Sequence, residues 1–259
     1  MQLSKLNWKQ AEAELQKDPV IIVPVGSVEQ HGPIGPLGTD SMIADDLAGR
    51  LADMTDTLVL PTVWYGSCPQ HMSFPGTINI GADGLYLVLK GITTSLIRHG
   101  ARRFIFVNGH GGNIPTIDRT MFEIFDLGCI SASMEWWIIA SNMKPEWKTG
   151  HGDCQEVSMA MAVDESSVNF DYLVPNEINH FSDAIRTVHI NVVNYKGHNI
   201  KAFRDARAAH STGGYGGFPS DKATRKQGVE MREAVLEWMA GFVEEFKTVD
   251  LAKSRAFFT

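Results

Sequence analysis

Short apolar runs alternate with segments of helical periodicity along the first half of the chain. The runs at Val20–Val25, 57–63, 104–107 and 129–134 have the length and composition of strands that are buried in a sheet. Between them, apolar residues recur every three to four positions, which predicts amphipathic helices. This alternation is typical of βαβ units, so we expect an α/β fold in which helices cover a mostly parallel sheet.

The predicted helices begin and end at residues that suit those positions. Thr39 and Asp83 are candidate N-caps, and Pro115 suits the first turn of a third helix. Gly100 and Gly128 follow predicted helix ends, where a left-handed backbone is common. The pattern therefore predicts where each of these helices stops as well as which face it buries.

The last long periodic segment runs from 221 to 246, with Ser220 as a candidate cap. We interpret its apolar stripe as core rather than as a cofactor site; the stripe consists of Met231, Val235, Trp238, Phe242 and Phe246. Between about 165 and 220 no period is clear. Since no internal repeat or domain boundary is apparent, we expect a single domain over 1–259.

Length, charge and cysteine content limit which partners and which cellular location we expect for this protein. The 259 residues carry a formal charge of -7 without any run of Lys or Arg, so we expect a small-molecule partner and no nucleic acid. No apolar run reaches the roughly 18 residues of a membrane span, and the first residues do not resemble a signal peptide. Cys68, Cys129 and Cys154 are widely spaced, which favours a cytoplasmic protein without disulfides or a thiolate zinc site.

Polar side chains follow the first predicted strand directly. Glu29 and His31 are two residues apart, so they leave an extended backbone on the same side, and Asp40 returns at the start of a predicted helix. Ligands of such sheets bind beyond the carboxyl ends of the strands. The three side chains favour a metal site there, and the alternative is an ordinary polar turn.

Two further places present potential ligands. His110 lies in a Gly-rich turn after the run at 104–107, which could be the neighbour of the first strand. His151 and Glu156 flank the start of another helical segment. Together with the three residues after the first strand, they form a nitrogen and oxygen donor set that suits Zn²⁺ or Mn²⁺.

Each of these interpretations has a simpler alternative. The Gly-rich turn at 109–112 could hold a phosphate in a phosphate-binding enzyme, although no Lys or Arg accompanies it. Glu156 could be a first-turn charge that suits the helix dipole, and His151 a buried, hydrogen-bonded residue. The polar and aromatic loop that holds Ser67 and His71 could line a pocket or simply connect two elements.

Four motifs occur in a fixed order along the chain. They are GSVEQHGP with LGTD at 26–40, YG with a later H and FPGTI at 65–78, NGHGGN at 108–113, and HGxxxExS at 151–158. In this order they resemble the creatininase (creatinine amidohydrolase) family, and a looser likeness continues at 210–228. The resemblance implies a three-layer α/β/α fold and a homohexamer arranged as a trimer of dimers.

The resemblance also implies a site with two divalent metal ions, Zn²⁺ or Mn²⁺ with Fe²⁺ as a further option, that activate a hydroxide. Glu29, Asp40 and His110 resemble the ligands of one ion. His31 and Asp40 resemble those of the other, so that Asp40 bridges the two. His151 matches a histidine that transfers a proton to the leaving nitrogen.

Several positions are expected to contact the substrate. Trp147 matches an aromatic residue that flanks the substrate in the family, and we expect Ser67, His71 and Gly111 to contact it as well. These residues would orient a small amide over the two ions.

The chain departs from the creatinine-hydrolysing pattern at three positions. Those members have a tyrosine and a metal-binding glutamate where this chain has Gly111 and Gly112, and an acidic residue where it has Lys148. These departures argue against creatinine itself as the substrate. Other branches of the family, which act on formamides or small peptides, tend to carry the Gly-Gly form.

Because Gly112 cannot bind a metal, the second ion needs another carboxylate. Glu156 is the best candidate, both as a ligand and as a catalytic group, ahead of Asp153 and Glu135. We therefore predict a hydrolase of a non-peptide C–N amide bond in a small cyclic or linear amide. The alternatives are a non-catalytic protein that binds metal or a small molecule and the phosphate-binding enzyme.

Overall fold

A computed structural model describes residues 1–217 and 219–255 of the chain. Its central sheet consists of four parallel strands: β1 (Val20–Val25), β2 (Leu58–Val59), β3 (Arg103–Asn108) and β4 (Ile130–Glu135). Their order across the sheet is β2-β1-β3-β4, so the first and third strands of the chain are neighbours. The parallel sheet expected from the alternating pattern is confirmed.

Helices cover both faces of this sheet. One face carries α1 (Trp8–Leu15), α3 (Gly81–Arg98) and α4 (Ile114–Asp126), and the other carries α2 (Thr39–Thr55), α5 (Trp136–Met143), α6 (Cys154–Val163) and α8 (Arg225–Lys247). A short helix, α7 (Ala206–Ala209), contributes to the core on neither face of this sheet. The predicted three-layer α/β/α fold is confirmed.

The side chains of β1 show why its sequence is a continuous apolar run. Val20 and Ile22 belong to the core beneath α2 and α8, whereas Ile21 and Val23 belong to the core beneath α3 and α4. Successive side chains of a strand point to opposite faces, so a strand covered on both sides must be apolar at every position. All six residues of β1 are buried.

Some element boundaries differ from the predictions. The strand predicted over 57–63 is confirmed only at Leu58–Val59. Beyond it, the Leu60 N–H still donates to the Ile22 carbonyl, and a single bridge joins Val63 to Val25. The first residue of α2 is Thr39, and Gly38 is its N-cap, so Thr39 does not cap the helix.

The helix starts predicted at 83 and 221 are also displaced. Helix α3 begins at Gly81, with Asp83 in its first turn. Helix α8 begins at Arg225, where the Thr224 side chain accepts a hydrogen bond from the Gln227 N–H, so the prediction of Ser220 as cap was wrong. In both cases several polar residues near the start could cap a helix, and the periodic pattern does not choose between them.

The segment between 165 and 220, which shows no clear period, contains a second sheet. Its three antiparallel strands are β5 (Ile185–His189), β6 (Val192–Tyr195) and β7 (His198–Lys201). They are largely exposed, so they lack the apolar pattern of a core strand. The local signal is the pair Lys196-Gly197, both with positive φ, as a two-residue hairpin turn requires.

Across the described residues, no helix combines the length and the hydropathy needed to cross a membrane. The single-domain organisation stays a prediction.

Candidate metal centre

The carboxyl ends of β1 and β3 bring together the residues that follow them. The two strands pair in register up to Val25 and Asn108, so the chain leaves both at the same edge of the sheet. Glu29 and His31 lie just beyond β1, and His110 lies just beyond β3. The predicted neighbourhood of these two strands is confirmed.

The start of α2 closes the group from one side. Asp40 lies in the first turn of this helix and is buried. A Cβ on Gly109 would lie 2.2 Å from the backbone oxygen of Asp40, so only glycine lets the end of β3 approach the helix this closely. This contact holds Asp40 against His110.

The loop before α6 closes the group from the other side. The Asp153 side chain caps α6 by accepting hydrogen bonds from the Gln155 and Glu156 N–H groups. The backbone of His151 pairs with that of Tyr215 through two hydrogen bonds of 2.8 Å. The cap and the bridge fix where Glu156 and His151 enter the site.

The converging side chains lie at the distances of a cation site. His31 Nε2 lies 2.9 Å from Asp40 Oδ1 and 3.6 Å from Glu156 Oε2. His110 Nδ1 lies 3.2 Å from Asp40 Oδ2, and its Nε2 lies 3.2 Å from Glu29 Oε2. All five side chains are buried.

Three overlapping groups of side chains could hold a metal ion. They are Glu29 with Asp40 and His110, His31 with Asp40 and Glu156, and Glu29 with His31 and His151. The first two groups share Asp40.

Unpaired buried atoms test whether a cation fits here. Glu29 Oε1 and Asp40 Oδ2 are buried and form no hydrogen bond of good geometry, although imidazole nitrogens lie 3.4 Å and 3.2 Å away. This is costly for a carboxylate oxygen unless a cation neutralises it. His31 Nδ1 lies 3.0 Å from the Glu29 carbonyl oxygen, which leaves its Nε2 toward the carboxylates. Such outer contacts orient metal-binding histidines. The residues present therefore fit a divalent cation.

A cavity of about 450 Å³ opens onto this cluster. Asp40, His110, His151 and Glu156 reach its inner end, and further residues line its walls, among them Ser67, His71, Gly111, Trp137, Lys201 and Tyr215. The volume suits a small molecule. The second sheet contributes to one wall through His189 and Lys201.

A family model described as "Creatininase: Creatinine amidohydrolase" matches residues 4–243. The chain belongs to the creatininase family. The motifs, the fold and the clustered ligands agree with this membership, which confirms the resemblance seen in the sequence.

Curated members of the creatininase family that are similar to this chain carry different activities. A mycofactocin precursor peptide peptidase from Mycolicibacterium smegmatis is 35% identical over 60% of this chain and 62% of its own length. The chain therefore spans about three fifths of that relative. A 3-dehydro-scyllo-inosose hydrolase from Thermotoga maritima is 28% identical over 66% of this chain and 59% of its own length. The creatinine amidohydrolase of Pseudomonas putida is 29% identical over 66% of this chain and 75% of its own length.

Solved creatininase structures share the fold. A creatinine amidohydrolase homologue from Bacteroides fragilis superposes with a TM-score of 0.76 at 25% identity, covering 97% of this chain and 98% of its own. A manganese form of creatininase gives 0.74 at 25% identity, with 96% and 99% coverage.

Burial sets the protonation of the carboxyl groups in this creatininase-family site. It raises the pKa of Glu29 to about 7 and that of Glu156 to about 8, in each case with Asp40 adding to the effect. Burial alone would also raise the pKa of Asp40, but His31 and His110 hold it well below its usual value. Asp40 is therefore the permanently charged centre of the cluster.

The histidines divide into two classes. Burial alone would lower the pKa of His31 and His110, but adjacent carboxylates outweigh it and raise the values to about 10 and about 9. Burial, together with the other imidazoles, lowers the pKa of His71 to about 3 and that of His151 well below its usual value. The second pair is neutral at physiological pH, so each ring has one nitrogen without a proton.

The predicted substrate-contacting residues fall in two places. Ser67, His71 and Gly111 line the cavity. Trp147 packs in the hydrophobic core, with the Lys144 ammonium 4.1 Å from its ring centre, and the indole in the cavity wall belongs to Trp137. The substrate-binding roles of these residues, including Trp147, stay predictions.

The rival carboxylates Asp153 and Glu135 lie elsewhere. Both carboxylate oxygens of Asp153 accept hydrogen bonds from backbone N–H groups. Its Oδ2 accepts from Gly150 at 2.6 Å, and its Oδ1 accepts from Gln155 at 3.1 Å. Glu135 accepts a hydrogen bond from Ser133 and belongs to none of the three metal-capable groups. Of the three candidates, only Glu156 is within such a group.

The Gly-rich turn offers little room for an anion. A Cβ on Gly112 would lie 2.2 Å from the Ser67 carbonyl oxygen and 2.4 Å from His110 Nε2. An acceptor oxygen beside the turn disfavours phosphate. The glycine serves close packing of His110 instead.

Two residues of the site escaped sequence reasoning. Gln30 lies buried between Glu29 and His31 in the chain and contacts two histidine rings, and its only signal was its place inside the motif. Tyr215 stacks on His151 with ring centres 5.2 Å apart, and its signal was the run of glycines on both sides.

Proposed function

We propose that this protein is a metal-dependent amidohydrolase that cleaves a C–N bond in a small cyclic or linear amide. The observation that carries the proposal is the set of buried carboxylates and imidazoles at the inner end of a cavity sized for a small molecule. Membership of the creatininase family supports the same reaction class.

In this proposal two divalent cations occupy the cluster. Glu29, Asp40 and His110 would hold one, and His31, Asp40 and Glu156 the other. The manganese form of a related creatininase supports Mn²⁺, and the donor set suits Zn²⁺ equally, with Fe²⁺ as a further option. When bound, such ions lower the pKa of a water molecule and polarise a carbonyl oxygen.

The protein's own residues supply proton transfer and shape. His151 is neutral, borders the cavity, and has Nδ1 3.8 Å from both Glu29 Oε1 and Glu156 Oε2. From there it could accept a proton from water and pass it to the departing nitrogen. The ring of Tyr215 stacks on the His151 imidazole and keeps it in place.

The space beside Gly111 favours a substrate other than creatinine. Gly111 adds no side chain near Trp137, so the space that a tyrosine would take remains open. The relatives named as a peptidase, an inosose hydrolase and a deformylase show how widely substrates vary in the family. We infer a non-peptide amide such as a lactam, ureide or formamide.

A substrate screen tests this function. Metal-depleted protein reloaded with Zn²⁺ or Mn²⁺ would be assayed on lactams, cyclic ureides, formamides and short peptides. We expect hydrolysis of a non-peptide amide that a chelator abolishes and metal restores. Turnover confined to peptides would contradict the substrate class, and turnover unaffected by the chelator would contradict metal dependence.

The family resemblance further supports a homohexamer, and light scattering on the purified protein measures that assembly directly. The three free cysteines support a cytoplasmic location. A purely binding protein is the alternative function. Retention of a neutral, cavity-facing His151 favours catalysis over binding, because a storage site has no use for a proton-transfer group.

A further inference from the structure

Gln30 is a buried amide whose orientation is fixed by its surroundings. Its Oε1 accepts a hydrogen bond of 3.0 Å from the Gly32 N–H, so the NH₂ group must lie on the other side. There it faces His71 Nδ1 at 2.7 Å, His151 Nε2 at 2.9 Å and the Gly213 carbonyl oxygen at 3.2 Å. A Cβ on Gly213 would lie within 2.1 Å of the amide, so this packing requires glycine.

Counting donors and acceptors decides where the histidine protons lie. The amide has two hydrogens for three neighbours. His151 Nε2 also lies 2.6 Å from the backbone carbonyl of Gln30, which can only accept, so His151 must donate from Nε2. The two amide hydrogens then go to His71 Nδ1 and to the Gly213 carbonyl, so the 2.9 Å contact between the amide nitrogen and His151 Nε2 carries no hydrogen bond.

The tautomers of both rings follow from this count. His71 accepts at Nδ1, so its proton is on Nε2, which points toward Glu29 Oε1 at 3.4 Å. His151 donates from Nε2, so its bare Nδ1 faces Glu29 and Glu156. That oxygen of Glu29 forms no hydrogen bond of good geometry, so the His71 N–H lies beside it without donating to it.

We propose that Gln30 is a positioning residue: its side-chain amide fixes the proton of His71 on Nε2, and its backbone carbonyl fixes that of His151 on Nε2. The first effect places an N–H rather than a lone pair beside the metal-binding carboxylate of Glu29, and the second turns the basic nitrogen of His151 to the reaction site. The tautomers stand on geometry alone, whereas their catalytic consequence rests on the proposed function.

Nitrogen-15 NMR of histidine-labelled, metal-free protein tests the tautomers without any activity. Wild type should show both His71 and His151 as neutral rings that are protonated on Nε2. In Gln30→Glu the new carboxylate can only accept, so His71 should move its proton to Nδ1 while His151, held by the backbone, should not change. Wild-type His71 protonated on Nδ1, or no response to Gln30→Glu in folded protein, would overturn the proposal.

Gln70→Glu is the matched control. Gln70 precedes His71 and lines the same cavity, so this substitution adds the same charge nearby without touching the proposed hydrogen bond. The His71 tautomer should stay as in wild type. A shift of the proton in Gln70→Glu as well would assign the effect to charge and overturn the role of the amide.

Gln30→Met keeps the side-chain length without the charge and serves if Gln30→Glu does not fold. His71 should then populate both tautomers, and Zn²⁺ affinity measured by titration should fall roughly 10- to 100-fold, the usual cost of losing an outer contact. Unchanged tautomer and affinity would overturn the proposal. If the tautomers behave as expected and no amide is hydrolysed, the proposed function fails and the positioning role stands.

Discussion

The carboxyl ends of β1 and β3 and the carboxyl end of β4 lie along the same edge of one sheet, yet only the first two build a site. Glu135 ends β4 in register with Asn108 of β3. It lies with Trp238 and Phe242 around a small cavity of about 90 Å³. Around Glu29, by contrast, two strands and the starts of two helices converge.

The difference shows that a carboxylate at a strand end is insufficient for a metal site. Strand β4 is the last in the sheet order, so Glu135 has a neighbouring strand on one side only. Glu29 lies beyond a central strand and is fully buried among three imidazoles. Metal binding needs several donors at once, and only the centre of the sheet supplies them.

The largest effect should come from removing a ligand at the central strands. His31→Ala should lose one equivalent of metal and lower turnover by roughly 10³-fold or more, since a metal contributes several kcal/mol and each 1.4 kcal/mol is tenfold. Metal content and kcat measured side by side check this. A fully active His31→Ala protein would sink the two-metal assignment.

The next effect concerns His151, which we expect to move a proton rather than bind metal. His151→Ala should lower kcat by roughly 10²- to 10⁴-fold while metal content stays near that of wild type. His151 belongs to one metal-capable group, so the metal content of this variant distinguishes a metal ligand from a proton-transfer residue. Loss of stoichiometric metal would make His151 a ligand instead.

Glu156→Gln and Glu135→Gln compare the two ends of the sheet directly. Both substitutions keep shape and remove a charge. In a Zn²⁺ titration the first should weaken one of two sites at least tenfold, about 1.4 kcal/mol, and the second should leave both unchanged. Weakening by Glu135→Gln alone would reverse the comparison.

The last effect, which is the smallest only when it is counted per pH unit and per proton, is the pH dependence of metal binding. His31 and His110 must be neutral to bind, and their pKa values in the metal-free site are about 10 and about 9, so protons compete with metal below those values. Apparent affinity should therefore rise with pH between about 6 and 9, about tenfold per unit for each proton released. Calorimetry in buffers of different ionisation heat counts those protons, and affinity that falls with rising pH would contradict this protonation pattern.

The sequence predicts the parallel sheet well because its central strands β1 and β3 are buried at every position and are almost wholly apolar. It predicts the ligand candidates because Glu29, His31 and His110 directly follow such strands. The antiparallel sheet over 185–201 is not predicted from the sequence, because its largely exposed strands carry no apolar pattern. The contact of Gln30 with Gly213 escapes because it joins residues 183 positions apart, and periodicity reports only local order.

The most direct test is a titration of metal-free wild-type protein with Zn²⁺ and with Mn²⁺, followed by assay on the amide panel at each step. The account predicts two equivalents bound per chain, with turnover that appears only as the sites fill. Turnover that is complete before any metal is added, or fewer than two equivalents bound at saturation, would contradict the two-metal site.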